Sequence, residues 1–197
     1  MEVAGKLYRR CPTCQATLLD PRHYLSADAE HAYYALHRNE FDDMAYRRFL
    51  SRLAEPLLQR LKQGATGLDF GCGPGPVLVQ MFSEAGFAMR CYDPFFWPDE
   101  CALQRRYDFI TCTETIEHCH QPGREFDLLG SLVKPDGWLG LMTCFQTDDQ
   151  RFAHWQYRRD PTHVVFYREH TFRVIAAQRN WECLVPAKDI VLMHAMV

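Results

Sequence analysis

The segment Glu114-Thr115-Ile116-Glu117-His118 gathers two carboxylates and an imidazole in one short stretch. In a helical turn, positions i, i+3 and i+4 share a face, so Glu114, Glu117 and His118 can converge. Such donors suit a divalent metal of the magnesium or zinc kind. Without a metal the same groups order a loop or handle a proton. A second constellation lies upstream, at Gly67-Leu68-Asp69-Phe70-Gly71-Cys72-Gly73-Pro74-Gly75. Its glycines let the backbone approach a ligand closely, and a helix starting there offers free N–H groups. Asp93 stands at a spacing where an acidic side chain at a strand end can accept hydrogen bonds from ribose hydroxyls. The third constellation is Cys11-Pro12-Thr13-Cys14, which has the spacing of half a zinc knuckle. The chain holds no second C-x-x-C pair. His23, His31 or His37 could complete a mixed zinc site; a simple thiol pair in an N-terminal cap is the competing reading.

These groups need elements to place them. An apolar strand over Gly67–Phe70 runs into the glycine turn. Leu78, Met81, Phe82 and Ala85 then recur with helical period over Pro76–Ala85. A strand over Ala88–Tyr92 ends at Asp93. Only Pro94–Tyr107 separates it from the next strand, Asp108–Thr113, so a third strand there must be short. The acidic–histidine turn follows that strand. A helix over Arg124–Val133, a turn at Lys134–Gly137 and a strand over Trp138–Phe145 come next. Gln146–Tyr167 reads as a long polar and aromatic connection. A helix over Glu169–Arg179 and a hairpin of Trp181–Val185 with Asp189–His194 close the pattern. Before the core, residues 1–25 read as a small irregular cap and Ala27–Lys62 as helices in at least two pieces. Alternating strands and helices predict an α/β fold with a mostly parallel sheet covered on both faces. We divide the chain into a cap, residues 1–40, and a core domain, residues 41–197.

The 197 residues carry a net charge of -3, with 47% hydrophobic and 24% charged residues. That composition fits a globular domain and excludes a disordered chain. It lacks the general basic footprint of a nucleic-acid binder. No apolar run reaches the length of a membrane span, and the first ten residues lack a signal-peptide core. The nine cysteines are then expected as reduced thiols, and a cytoplasmic location follows as the default expectation. Nothing in the pattern indicates an oligomeric state.

Four motifs in order resemble a known family. Leu68 to Gly75 is similar to the first motif of class I S-adenosylmethionine-dependent methyltransferases, and Asp93 fits their acidic ribose position. Tyr107-Asp108-Phe109-Ile110-Thr111-Cys112-Thr113-Glu114 resembles the fourth-strand motif. Leu132-Val133-Lys134-Pro135-Asp136-Gly137 resembles the turn into the fifth strand. The resemblance implies a Rossmann-like sheet of seven strands, the last antiparallel, under an N-terminal helical cap, with S-adenosylmethionine as cofactor. It places Gly71, Gly73 and Gly75 beside the methionine moiety, Asp69 at its polar end and Phe95 near the adenine. Cys72, Pro94 and Thr113 complete the expected cofactor surface. The usual acidic adenine contact after strand three has no clear counterpart; only Asp99 and Glu100 are available.

The full E-x-x-E-H resembles two metal-dependent O-methyltransferase groups, the ubiquinone-biosynthesis enzymes and those that methylate small-RNA 3′ ends. In the RNA group a later histidine completes the metal site. Asp160-Pro161-Thr162-His163-Val164-Val165-Phe166-Tyr167-Arg168 is similar to that element, which nominates His163, ahead of His154, as fourth ligand. His163, His118 and Glu114 are the candidate catalytic groups, and a hydroxyl of a small molecule is the expected acceptor. Metal-free N- or C-methylation, RNA 3′-end methylation and a non-catalytic cofactor-binding scaffold are the alternatives. Tyr34, His37 and Tyr46 are expected to cover the cofactor. Trp155, Tyr157, Phe166 and Tyr167, with Arg158, Arg159 and Arg168, read either as a substrate-facing lid or as arginines over an aromatic core.

Overall fold

The computed structural model describes residues 1–36 and 41–196. Its N-terminal strands are β1 (Glu2–Val3), β2 (Lys6–Arg10) and β3 (Thr17–Leu19). Helices α1 (Ala27–Tyr34) and α2 (Met44–Leu58) follow. The core alternates β4 (Thr66–Phe70), α3 (Val77–Glu84), β5 (Ala88–Tyr92), β6 (Tyr107–Thr113), α4 (Pro122–Leu132) and β7 (Val133–Met142). The remainder is α5 (Asp149–Phe152), α6 (Gln156–Arg159), β8 (Val165–Phe166), α7 (Glu169–Gln178), β9 (Trp181–Ala187) and β10 (Ile190–Ala195).

The main sheet has the order β5-β4-β6-β7-β10-β9. β5, β4, β6 and β7 run parallel. β10 is antiparallel to both β7 and β9. The expected mostly parallel α/β sheet with a closing antiparallel hairpin is therefore present. β4 is the strand with one parallel neighbour reached forwards on each side. The crevice beyond its carboxyl end is where ligands bind in open α/β sheets. Parallel strands covered on both faces are apolar throughout. Leu68, Phe109, Ile110 and Leu141 are fully or almost fully buried. On one face Leu53 and Leu57 of α2 and Phe82 of α3 pack on Phe109 and Leu192. On the other, Leu129 of α4 and Phe172 of α7 join Ile110, Leu141 and Val191.

Three expectations change. Among the described residues no strand lies between β5 and β6; Asp93 and Trp97 close a tight turn and a 3₁₀ helix spans Glu100–Gln104. The sheet therefore has six strands instead of seven, because this segment is used up by turn and helix. The Lys134–Gly137 turn lies inside β7. It forms an irregularity in register against β6, with Asp136 at φ 62°. Finally, residues 1–25 are not an irregular cap. β1, β2 and β3 make a small antiparallel sheet whose fourth strand is β8, from the long connection. The helical part of the cap is α1. The boundary expected near residue 40 falls outside the described residues.

Candidate active site

The crevice beyond β4 and β6 is built by two loops tied together. Gly71, at φ 75°, donates its N–H to Tyr92 O. A side chain on Gly71 would collide with Thr115, whose hydroxyl is 3.1 Å from Gly71 O and 2.9 Å from Thr113 O. Gly71 is thus needed for the fit of the two loops. Gly73, at φ 64°, faces open space. Its N–H donates to Asp93 Oδ2 at 3.0 Å. Asp93 Oδ1 accepts from the N–H groups of Phe95 and Phe96. A carboxylate has about four acceptor positions, so three donors leave Asp93 room for one more. Pro94 is exposed and Phe95 half-buried beside it. Gly75 begins the turn into α3, which has no side-chain cap; Gly75 O accepts from the Val77 N–H, the first of the helix, at 2.8 Å. Cys72 is half-buried, its thiol 3.6 Å from Gly73 O.

Asp69 is buried and accepts from Thr111 Oγ1 at 2.7 Å. Burial pushes its pKa up to about 7, with the Asp93 charge adding to the rise and Thr111 opposing it. The Thr113 hydroxyl is buried with no hydrogen-bond partner. It stands at the end of β6 with its hydrogen-bonding capacity unused. Tyr46, in the first turn of α2, is pushed up to about 12 by burial and by the charges of Asp69 and Glu114. It therefore stands near both of those carboxyl groups. His37 lies outside the described residues.

The structure brings Glu117, His118 and His163 together. One donor atom from each lies within 4.8 Å of the others. Glu117 is fully buried; its Oε2 has no hydrogen-bond partner. His118 Nδ1 is 3.2 Å from Thr162 O, and His163 Nδ1 is 2.7 Å from Tyr157 O. A carbonyl only accepts, so each Nδ1 carries the proton and each Nε2 keeps its lone pair. Burial and the neighbouring His118 lower the His163 pKa, which favours the neutral ring. Two imidazole lone pairs and a buried carboxylate form a donor set a divalent cation fits.

Glu114 does not join this group. The chain turns left-handed there, at φ 47°, and the 3₁₀ helix Ile116–His118 begins only afterwards. The shared helical face that would have aligned Glu114 with Glu117 therefore does not form. Burial, then the charges of Glu117 and Asp189, push its pKa up to about 9. It stands near the cluster as a neutral acid. His154 is exposed and outside the group.

Sequence patterns placed Tyr157 only within the lid-or-core stretch and did not single out Thr115. Tyr157 Oη is 2.6 Å from Glu117 Oε1 and 2.9 Å from Thr143 Oγ1, and Cys144 N–H donates to it at 3.3 Å. The lid expectation is corrected for Arg158 and Arg168, whereas Arg159 is exposed. Arg158 is buried and bonded to Phe152 O, Ala153 O and Tyr8 Oη, and Arg168 pairs with Asp149. Phe166 and Tyr167 are core residues. α1 covers the crevice instead. Glu30 accepts from His120 Nε2 at 2.8 Å, and Tyr33 Oη donates to Asp160. Tyr34 packs against both Phe95 and His118, and His31 stacks on Phe95.

Cys11 and Cys14 lie on the turn between β2 and β3. Backbone N–H groups of Cys14 and Thr13 lower the Cys11 pKa, while burial raises that of Cys14. Among the described residues no third ligand joins them.

The sequence pattern of the methyltransferase-domain family matches residues 36–185. The chain belongs to that family. Part of this methyltransferase domain is 32% identical, over 78 residues, to the ubiquinone biosynthesis O-methyltransferase of Salmonella paratyphi A. That stretch is 39% of this chain and spans about a third, 32%, of the relative's length. The fold resembles that of the Burkholderia thailandensis 1,6-didemethyltoxoflavin-N1-methyltransferase, solved with 1,6-didemethyltoxoflavin and S-adenosylhomocysteine bound. The TM-score is 0.57 at 14% identity, over 95% of this chain and 99% of that one. Coclaurine N-methyltransferase has the same fold, with a TM-score of 0.51 at 16% identity over 75% of this chain and 53% of that one. The methyltransferase domain thus has the Rossmann-like fold of the class I S-adenosylmethionine-dependent enzymes. No helix among its described residues is long and apolar enough to cross a membrane.

Proposed function

We propose that the protein transfers the methyl group of S-adenosylmethionine to a hydroxyl of a small molecule with two neighbouring oxygens. A divalent cation held by Glu117, His118 and His163 would bind that acceptor. The observation that carries the metal reading is the group itself: three donor atoms within 4.8 Å, with Glu117 Oε2 unpartnered in a buried setting. The reading of the cofactor rests on the family and on the cradle. Gly73 faces open space, α3 starts beside it without a side-chain cap, and Asp93 has room for a ribose hydroxyl. Thr113 supplies a further unpaired hydroxyl at the strand end.

A divalent cation bound there would lower the pKa of a coordinated hydroxyl, so that its proton leaves to water as the acceptor binds, before the crevice is covered, and would fix the oxygen's orientation. The chain's own residues do the rest. Asp93 and the glycine turn hold the cofactor, and the loop tie through Thr115 sets their distance from the histidines. Tyr34 covers the gap between the two ends and keeps bulk water out. While a cation is held, both Nε2 lone pairs are committed, so neither histidine acts as base. In the cation-free state His163 is the neutral base nearest the crevice. Positioning of acceptor and sulfonium supplies much of the rate in such transfers.

The test is methyl transfer to a panel of catechols, amines and short RNA 3′ ends, with chelated and manganese-restored protein. Loss on chelation and recovery with the ion, confined to the catechols, is the expected result. Full activity in excess chelator would sink the metal reading. No S-adenosylmethionine binding by calorimetry at millimolar cofactor would sink the enzyme reading.

A further inference from the structure

Two groups of one residue, from different parts of its covalent frame, hold two members of the Glu117–His118–His163 cluster. We propose that Tyr157 is the positioning residue that sets Glu117 and His163 for a divalent cation. The inference rests on the reading of that cluster as a cation site.

The phenol has one proton, and it donates it to Glu117 Oε1 at 2.6 Å. Cys144 N–H donates to the phenol oxygen at 3.3 Å, and Thr143 Oγ1 lies 2.9 Å from it. These contacts fix the direction in which the phenol points. With Oε1 engaged, Glu117 is left with Oε2 alone as its unpartnered oxygen. Oε1 is also the Glu117 oxygen that lies 4.0 Å from His118 Nε2, so the phenol fixes how the carboxylate faces the histidines. The main chain of the same residue acts on the histidine. Tyr157 O accepts from His163 Nδ1 at 2.7 Å, which fixes the tautomer and frees Nε2. The two rings pack with centroids 4.1 Å apart, so the imidazole cannot swing away without displacing the phenol.

Tyr157 is itself held in place. α6 is only four residues long, too short to be stable alone. Its next residue, Arg158, is buried and bonds to Phe152 O, Ala153 O and Tyr8 Oη at 2.9–3.1 Å. Arg158 thereby ties α6 to α5 and to the N-terminal sheet. A partner that orients a ligand typically contributes about 10- to 100-fold to metal affinity.

The experiment is titration of the full chain with manganese(II), followed by the electron paramagnetic resonance of the free ion. Wild type is compared with Tyr157→Phe and His163→Ala. Tyr157→Phe removes the hydroxyl and keeps the ring and the carbonyl. The expected result is manganese binding by wild type, loss of about 10- to 100-fold in affinity in Tyr157→Phe, and no measurable binding in His163→Ala. Nitrogen NMR of Tyr157→Phe should still show His163 protonated at Nδ1. Unchanged affinity in Tyr157→Phe overturns the inference and leaves the cation site standing. Wild type that binds no better than His163→Ala overturns the cation site, and the inference with it. Where Tyr157→Phe fails to fold, carbon-labelled tyrosine in wild type gives the answer. A Tyr157 ring signal that shifts with zinc in step with His163 supports the inference; one that stays fixed while His163 shifts overturns it.

Discussion

At the scale of residues, Glu114 and Glu117 show how little separates a ligand from a bystander. Both are acidic, three positions apart, and both follow β6. The left-handed backbone at Glu114 turns it off the face that Glu117 and His118 share. Its folded pKa of about 9 stands above the ordinary 4.5. The folded protein then holds a proton that the unfolded chain has released. Stability from this group is complete below the unfolded value and declines as pH rises through the interval up to the folded one. In metal-free protein, Glu114→Gln should therefore match wild type in thermal denaturation near pH 4. It should exceed wild type by a margin that grows up to about pH 9. The same variant should keep its manganese affinity, whereas Glu117→Gln should lose most of it; equal losses would return Glu114 to the ligand set. The acidic–histidine motif was legible in the sequence as a set of donors. The backbone turn that selects among them was not, because a non-glycine left-handed residue has no sequence pattern.

At the scale of elements, the parallel strands and their helices announce themselves through apolar runs and helical periods. β4, α3, β5 and β6 fall within a residue or so of where those patterns put them. The N-terminal sheet does not announce itself. β1 and β8 have two residues each and β3 has three, too few to display an alternation. Nor does sequence show that β3 pairs with a strand nearly 150 positions away. That pairing matters to the cluster. Leu19 N–H donates to Val164 O at 2.8 Å, and Val164 N–H donates to Glu117 O at 2.8 Å. The strand beside His163 is thus fastened on one edge to β3 and at its start to the cluster loop. Leu19→Pro removes the first of these bonds and should weaken manganese binding more than S-adenosylmethionine binding, both read by calorimetry. Equal losses would mean that the variant simply unfolds. The turn feeding β3 carries its own readable asymmetry. With Cys11 lowered by backbone N–H groups and Cys14 raised by burial, a limiting alkylating reagent at neutral pH should label Cys11 first. Peptide mass mapping checks the order, and preferential labelling of Cys14 would contradict it.

At the scale of the whole molecule, the crevice has two ends built by different parts of the chain. The glycine turn and Asp93 belong to β4 and β5. The Glu117–His118–His163 group belongs to the β6 loop and to the connection before β8. α1 is the element that touches both, through Tyr34 on Phe95 at one end and on His118 at the other. On the proposed reading, a single ring that touches both sites couples their occupancies, and such coupling is reciprocal. Whatever factor the cofactor imposes on cation affinity, the cation must impose on cofactor affinity. Calorimetric titration of each ligand in the absence and presence of the other should return the same ratio both ways. In Tyr34→Ala that ratio should move toward one, while each separate affinity changes less. A ratio unmoved by the substitution would place the communication in the Thr115 tie between the loops instead. On that reading Tyr34 is a term in a binding polynomial: its contribution is chiefly to the product of two occupancies and less to either alone.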